Sequence, residues 1–265
     1  MWQYYLFLGF SINVISIPFD NGANIQGSRN APEKILQNLK NLPINSNTII
    51  DVNRPIRKFY SDVFFETWNC LQKKNLPIIL GGDHSVVVPG IFAINEFTNR
   101  FNKEKLGILW MDAHADFNTM ETSTSYNLHG MPVAILCHHT LSSLKLGFPV
   151  EPFQFGFYGV RDIDSLEFDR FQKYNMKIID SSTEIDEWIN KFDKIHISFD
   201  IDCIDPSDFD GVNTPVNKGK TIHEIKNLFK KIKKSKKLSS LDIVEYNPEK
   251  NNNVNIITEI VKELF

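Results

Sequence analysis

The chain is short of cysteine. It has three in 265 residues, Cys70, Cys137 and Cys203, far apart, odd in number and forming no C-x-x-C pair. This argues against a disulfide framework and predicts a reduced, cytosolic (cytoplasmic) chain. It has little excess of charge either: the formal net charge is −3, which gives no reason to expect a nucleic acid or an anionic membrane as partner. No run of apolar residues is long enough to span a bilayer. Met1 to Phe10 is apolar but short, and Ser11 and Asn13 soon interrupt the pattern. That segment also lacks a Lys or Arg ahead of it and a small-residue cleavage site, so packing against the domain edge or another subunit is expected rather than secretion. Repeats are absent, and so are linkers rich in Gly, Pro or Ser. Residues 1–12 are therefore read as an apolar N-terminal extension of unknown role, and 13–265 as one domain.

What is present is an alternation of short apolar runs with longer amphipathic stretches. Hydrophobic content of 42% and charged content of 23% suit a soluble globular protein, and the length allows a sizeable core. The runs at Asn13–Ile17, Thr48–Val52, Pro77–Leu80, Gly107–Met111, Phe155–Gly159, Lys177–Asp180, Ile195–Phe199 and Leu238–Val244 predict strands. Helical patterns fall at Ala31–Leu39, Tyr60–Lys73, Ser85–Phe101, Ser165–Lys173, Thr183–Phe192, Thr221–Lys233 and Asn252–Phe265. Such alternation predicts an α/β fold: a three-layer αβα arrangement around an eight-stranded, mostly parallel sheet. The basic run Lys230–Lys237 reads as the solvated end of a helix, where cations favour the macrodipole, rather than a nucleic-acid patch.

In open α/β sheets ligands bind beyond the carboxyl ends of the strands, and the ionisable residues fall there. Gly81-Gly82-Asp83-His84-Ser85, Asp112-Ala113-His114-Ala115-Asp116, Gly159 to Asp164, Asp200-Ile201-Asp202 and Glu245 each follow a different predicted strand. Asp112, His114 and Asp116 alternate, as do Asp200 and Asp202. On an extended chain each set aims at one point. Concentrated carboxylates are costly unless cations sit among them. His84 by itself reads more readily as a structural hydrogen-bonding histidine than as a ligand, and Asp83 as a helix cap. A mainly carboxylate set with two imidazoles favours Mn²⁺ over structural Zn²⁺ or Ca²⁺. Four aspartates match two divalent cations, and such a pair makes water acidic enough for metal-assisted hydrolysis.

These motifs, with Ser198-Phe199-Asp200-Ile201-Asp202 and Asp242-Ile243-Val244-Glu245-Tyr246-Asn247-Pro248, resemble the ureohydrolase superfamily and, within it, the arginase family. The likeness runs from about Asn13 to the C-terminus. It implies a catalytic domain over 13–265, hydrolysing L-arginine to L-ornithine and urea by a hydroxide bridging two Mn²⁺ ions. His84, Asp112, Asp116 and Asp200 are implied to bind one ion, and Asp112, His114, Asp200 and Asp202 the other. The catalytic roles implied are Asp116 orienting the hydroxide and receiving its proton, Glu245 holding the guanidinium group, and His129 protonating the departing amine. Asn118, Ser125 and Asn127 match the donors that bind the substrate's α-carboxylate, Asp164 and Glu167 the acids that read its α-amino group, and Thr214 a retained site threonine.

Because agmatine lacks the carboxylate, these donors favour arginine. Sister amidinohydrolases acting on agmatine, guanidinobutyrate or formiminoglutamate remain the alternative, together with a catalytically idle binding protein. The departures from the family pattern are Tyr126 in place of a Gly, Asn213 in place of a Gly, and Asn217-Lys218-Gly219-Lys220 in place of a Gly-pair segment. A homotrimer or homohexamer is also implied, though the chain stops soon after its last helix, without the longer tail some arginases use at subunit contacts.

Overall fold

Each apolar run that bears on the site becomes a strand whose polar neighbours cluster just past its carboxyl end. The computed structural model describes residues 11–40 and 42–265. In chain order the elements are β1 (Ile12–Ile17), α1 (Ala31–Asn38), β2 (Ile44–Ile49), α2 (Ile56–Gln72), β3 (Leu76–Gly81), α3 (Val88–Asn95), β4 (Leu106–Met111) and α4 (Pro132–Leu136). Then follow β5 (Phe155–Tyr158), α5 (Ser165–Lys173), α6 (Ser182–Asn190), β6 (Lys194–Asp200), α7 (Ile222–Ser235), β7 (Leu238–Val244) and α8 (Asn255–Lys262). The strands form one sheet in the order β2-β1-β3-β7-β6-β4-β5, and every strand pair in it is parallel. β3 and β4 are buried along their whole length, as expected where helices cover both faces. β2, with the polar sequence INSNTI, is largely exposed at the edge, where polar side chains discourage further pairing.

One apolar layer gathers α1, α6, α7 and α8 against the sheet, and the other α2, α3, α4 and α5. In α7 the buried residues are Ile225, Leu228, Phe229 and Ile232, a single helical stripe, and Thr221 with Glu224 forms a capping box at its start. Lys230 to Lys234 lie on that helix, and Lys231 pairs with Asp186 at 2.9 Å. Lys237 Nζ donates to the carbonyls of Ile189 and Phe192.

The sheet has seven strands among the described residues, one fewer than expected. The missing one is Lys177–Asp180. It makes a single bridge, Phe157 with Ile178, through bonds from Phe157 N to Lys177 O and from Ile179 N to Phe157 O. Ser181 caps α6 immediately afterwards, so no room remains for a ladder. The expected helix Ser85–Phe101 is also divided, into a 3₁₀ turn at His84–Val87, α3, and a π-helical turn at Glu96–Phe101. Pro89 lies in the first turn of α3, where its missing N–H costs nothing. Of the expected extension 1–12, residues 1–10 lie outside the described residues, while Ile12 already pairs with Leu76 in the sheet.

Lys218 takes φ +65° on an exposed loop, a left-handed conformation that favours glycine. Its side chain is replaceable without loss of packing. Lys218→Gly is therefore expected to raise stability by about 0.5–1 kcal/mol, seen as a higher urea midpoint; a lower midpoint would show that the lysine itself is needed.

Candidate metal and substrate site

Five loops meet at the carboxyl end of the sheet. Gly82 lets the β3 loop enter: a Cβ there would lie 2.0 Å from the Phe19 carbonyl oxygen. The chain can thus pass close enough for Asp83 N to donate to Phe19 O at 2.9 Å, and His84 follows. His84 is buried, its ring stacked on Trp110 with centroids 4.2 Å apart and planes 5° from parallel. Among the described residues its Nδ1 has no hydrogen-bond partner, yet it lies 3.0 Å from Asp112 Oδ2 and 3.1 Å from both Asp116 Oδ2 and Asp200 Oδ2.

A second set interlocks with the first. His114 Nδ1 lies 3.4 Å from Asp112 Oδ1 and 3.0 Å from Asp202 Oδ2. Asp112 therefore presents one oxygen to each imidazole. Two groups of three, His84–Asp112–Asp200 and Asp112–His114–Asp202, each bring ligand atoms within 4.8 Å of one another.

Strand alternation is not what makes these side chains converge. Asp112 to Asp116 lie past the end of β4, Asp202 sits in a 3₁₀ turn after β6, and Asp116 has φ +50°. The carboxylates instead fold the backbone about themselves. Asp112 Oδ1 accepts from His114 N at 2.7 Å, and Asp200 Oδ1 from Asp202 N at 2.8 Å, two turns of the kind short acidic side chains favour. Arg161 ties the surrounding loops together by donating to the carbonyls of Gly159, Asp202, Val216 and Asn217.

Burial and like charge set the electrostatics. Burial raises the pKa of Asp116 to about 6, with Asp112 adding to the effect. Burial, then Asp202 and Asp112, pushes Asp200 well up. Asp112 is buried too, but His114 and His84 outweigh that and hold it far below the carboxylate range. Both imidazoles are raised despite burial, His84 by the Asp112, Asp116 and Asp200 carboxylates around it, and His114 chiefly by Asp202 and Asp112. The raised imidazoles thus bring positive charge to four carboxylates that would otherwise repel one another. A partnerless Nδ1 facing three oxygens, and this concentration of carboxylates, fit divalent cations of the oxygen- and imidazole-binding kind.

Above the cluster opens a cleft of about 220 Å³ lined by His84, His114, Asp116, Asn118, His129, Gly130, Asp162, Asp164, Glu167, Thr214 and Glu245. Glu245, at φ +62°, accepts from His84 N at 2.9 Å and lies 3.1 Å from His129 Nδ1 through Oε1. Its buried Oε2 has no partner among the described residues. Thr214 Oγ1 donates to Asp202 Oδ2 at 3.2 Å. Asn118 Nδ2 donates to Asp164 Oδ2 at 3.1 Å, and Glu167 Oε1 accepts from Phe117 N. Burial lifts the Glu167 pKa to about 8.

Ser125 and Asn127 do not line the cleft. Ser125 is exposed, and its Oγ accepts from Asn127 N at 3.3 Å. Between them Tyr126 is exposed with φ +59°, so the ring occupies a left-handed position suited to glycine. Asn213 fills its own departure usefully, donating to Ile25 O at 3.1 Å and accepting from Asn247 Nδ2 at 2.8 Å.

Burial disfavours the charged form of His129, but Glu245 outweighs it and raises the pKa to about 9. Since the folded value exceeds the unfolded one near 6.5, the stabilisation is complete below about pH 6.5 and is lost as pH rises through about 9. Metal-free protein should lose at most about 3 kcal/mol from this pair between pH ~6 and pH ~9.5. In urea denaturation at the two pH values, His129→Gln should flatten that slope; an unchanged slope would assign it elsewhere.

Together, the parallel αβα sheet and the two carboxylate–imidazole sets at its strand ends define a metal-dependent hydrolase. The chain belongs to the arginase family, whose sequence profile matches residues 10–265. It is similar to an arginase of Entamoeba histolytica, 38% identical over 190 residues, which span 66% of this chain and 63% of that protein. The crystal structure of arginase from Bacillus subtilis matches with a TM-score of 0.85 at 27% identity, covering 96% of this chain and 98% of that one. The Entamoeba histolytica arginase in complex with L-ornithine matches with a TM-score of 0.81 at 27% identity, covering 96% of this chain and 98% of that one.

Proposed function

We propose that this chain hydrolyses L-arginine to L-ornithine and urea, with residues 13–265 as the catalytic unit and two Mn²⁺ per subunit. The observation that carries the reading is the sharing of Asp112, one oxygen toward His84 and the other toward His114, beneath a cleft wall that presents the unpartnered Glu245 Oε2. His84, Asp112, Asp116 and Asp200 would hold one cation, and Asp112, His114, Asp200 and Asp202 the other. When bound, the pair supplies the positive charge that makes water acidic enough to attack near neutral pH.

The chain's own groups do the rest. Glu245 binds the guanidinium in its plane, a geometry carboxylates suit. Asp116, which lines the cleft beside His84, accepts a proton from the attacking water. His129 carries a proton, held by Glu245, and delivers it from the ring to the departing amine. The C–O bond forms first, making the guanidinium carbon tetrahedral, and the C–N bond to ornithine's nitrogen then breaks as that nitrogen takes the proton. Asn118 reads the α-carboxylate from the cleft wall, where Ser125 and Asn127 would join it only if their loop moved inward, while Asp164 and Glu167 read the α-amino group. Family membership supports a homotrimer or homohexamer. Buried, unpaired Cys70, Cys137 and Cys203 are consistent with a reducing, cytoplasmic setting.

One observation favours a sister amidinohydrolase as a second reading: of the three carboxylate-reading candidates, Asn118 lines the cleft and Ser125 and Asn127 do not. Urea release from Mn²⁺-loaded protein decides between them. Arginine should be hydrolysed at least ~10-fold faster than agmatine or guanidinobutyrate, with activity lost to a chelator and restored by Mn²⁺. Preference for agmatine or guanidinobutyrate would replace arginine as the substrate, and urea from none of the three would leave formiminoglutamate, whose hydrolysis releases formamide, or a binding protein.

A further inference from the structure

One chain of buried hydrogen bonds leaves the site and runs into the sheet. β6 and β7 pair with Ser198 opposite Asp242 and His196 opposite Ser240. His84 Nε2 lies 2.9 Å from Ser198 Oγ, which donates to Asp242 Oδ1 at 2.8 Å. Asp242 Oδ2 lies 2.8 Å from His196 Nε2, and His196 Nδ1 lies 2.9 Å from Ser240 Oγ. All five side chains are at most 1% exposed, so water does not compete for these bonds.

The direction of the chain is dictated by what each group can do. A carboxylate only accepts, and a serine hydroxyl has one proton to give. Ser198 spends that proton on Asp242 and is left to accept from His84. His84 must then carry a proton on Nε2. Its other nitrogen, Nδ1, is the one that faces Asp112, Asp116 and Asp200. His196, donating to the second oxygen of Asp242, keeps the carboxylate from turning away.

We infer that Asp242 is a positioning residue for the metal site: acting through Ser198, it fixes His84 in the tautomer whose Nδ1 lone pair is free to bind a divalent cation. This rests on the two-cation reading above and adds to it a residue that touches neither cation nor substrate. Partners that orient a ligating histidine in this way are worth about 10- to 100-fold in metal affinity. In Asp242→Asn either the weaker amide oxygen faces Ser198, or the amide N–H₂ does and reverses the chain, pressing the serine proton onto His84 Nε2.

The test is calorimetric titration of Mn²⁺ into the metal-free full chain, for the wild type, Asp242→Asn, Ser198→Ala and the double variant, with thermal unfolding as the fold control. Asp242→Asn and Ser198→Ala should each weaken one of the two sites by about 10- to 100-fold, and the double variant should bind no more weakly than Ser198→Ala. Wild-type affinity in either single variant overturns the inference. So does a double variant whose losses add, because a structural effect of Asp242 would not need Ser198. A wild-type chain that binds no Mn²⁺ would instead overturn the two-cation reading, so the two failures are distinct.

Discussion

Asp116→Asn should lower turnover by about 10²- to 10⁴-fold, the range for losing a positioned proton acceptor, while leaving the fold unchanged. Asp116 has φ +50°, a conformation asparagine tolerates better than most residues, and the two side chains have nearly the same shape. What asparagine lacks is the negative charge and the capacity to take a proton. In the metal-free chain burial and Asp112 press the Asp116 carboxyl toward its protonated form, with a pKa of about 6. The sign of the shift gives a control. A carboxyl whose folded value lies above its unfolded one costs stability as pH rises between the two, so metal-free Asp116→Asn should be no less stable than the wild type above about pH 6. The measurement is kcat for urea release beside a thermal melt. Near-normal kcat would remove Asp116 from the proton path.

Glu245→Gln should cost about 10²- to 10³-fold in kcat/KM for arginine and little in ornithine binding. The carboxylate is buried, with Oε1 engaged by His84 N and His129 while Oε2 has no partner among the described residues. A guanidinium supplies paired N–H donors in one plane, and charge-assisted bonds of this kind are worth about 1.5–3 kcal/mol each. Glutamine of the same length presents one acceptor and an N–H₂ that opposes the guanidinium donors. Ornithine carries no guanidinium, so its affinity, read by calorimetry on Mn²⁺-loaded protein, should stay within about threefold of wild type. Equal losses for arginine and ornithine would mean that Glu245 shapes the site in general rather than receiving the guanidinium.

Much of this site was legible because each residue sits immediately past an apolar run. Asp112 follows Met111, Asp200 follows Phe199, and Glu245 follows Val244. A run of that kind is a buried parallel strand, and the strand end is where such sheets place ligands. His129 and Glu167 were legible through the family motifs around them, since neither follows a strand. The eighth strand was misread because Lys177–Asp180 has the composition of a strand but too little length before the Ser181 cap. The reason for convergence was misread as well: Asp112 and Asp200 turn the backbone through their own side chains rather than relying on strand pleat. Ser198 and Asp242 were visible as members of motifs, and polar residues at every second position of β6 and β7 were the available signal for their role. Pairing them required the register of two strands separated by α7 in the chain.

The sequence alone determined the class of the sheet, the end at which the site lies, and the residue types that make divalent cations the fitting chemistry, while a guanidinium substrate came only from the resemblance to the arginase family. Those properties are local, set by strand periodicity, by the neighbours of each motif and by the charge each side chain brings. The tertiary structure alone decided that Asp112 is shared between two imidazoles, that Glu245 keeps one oxygen unpartnered, and that Ser125 and Asn127 stand outside the cleft. Each of these depends on atoms brought together from distant parts of the chain. Hydrogen bonds form or fail within a few tenths of an ångström, a distance that spacing along a sequence does not encode.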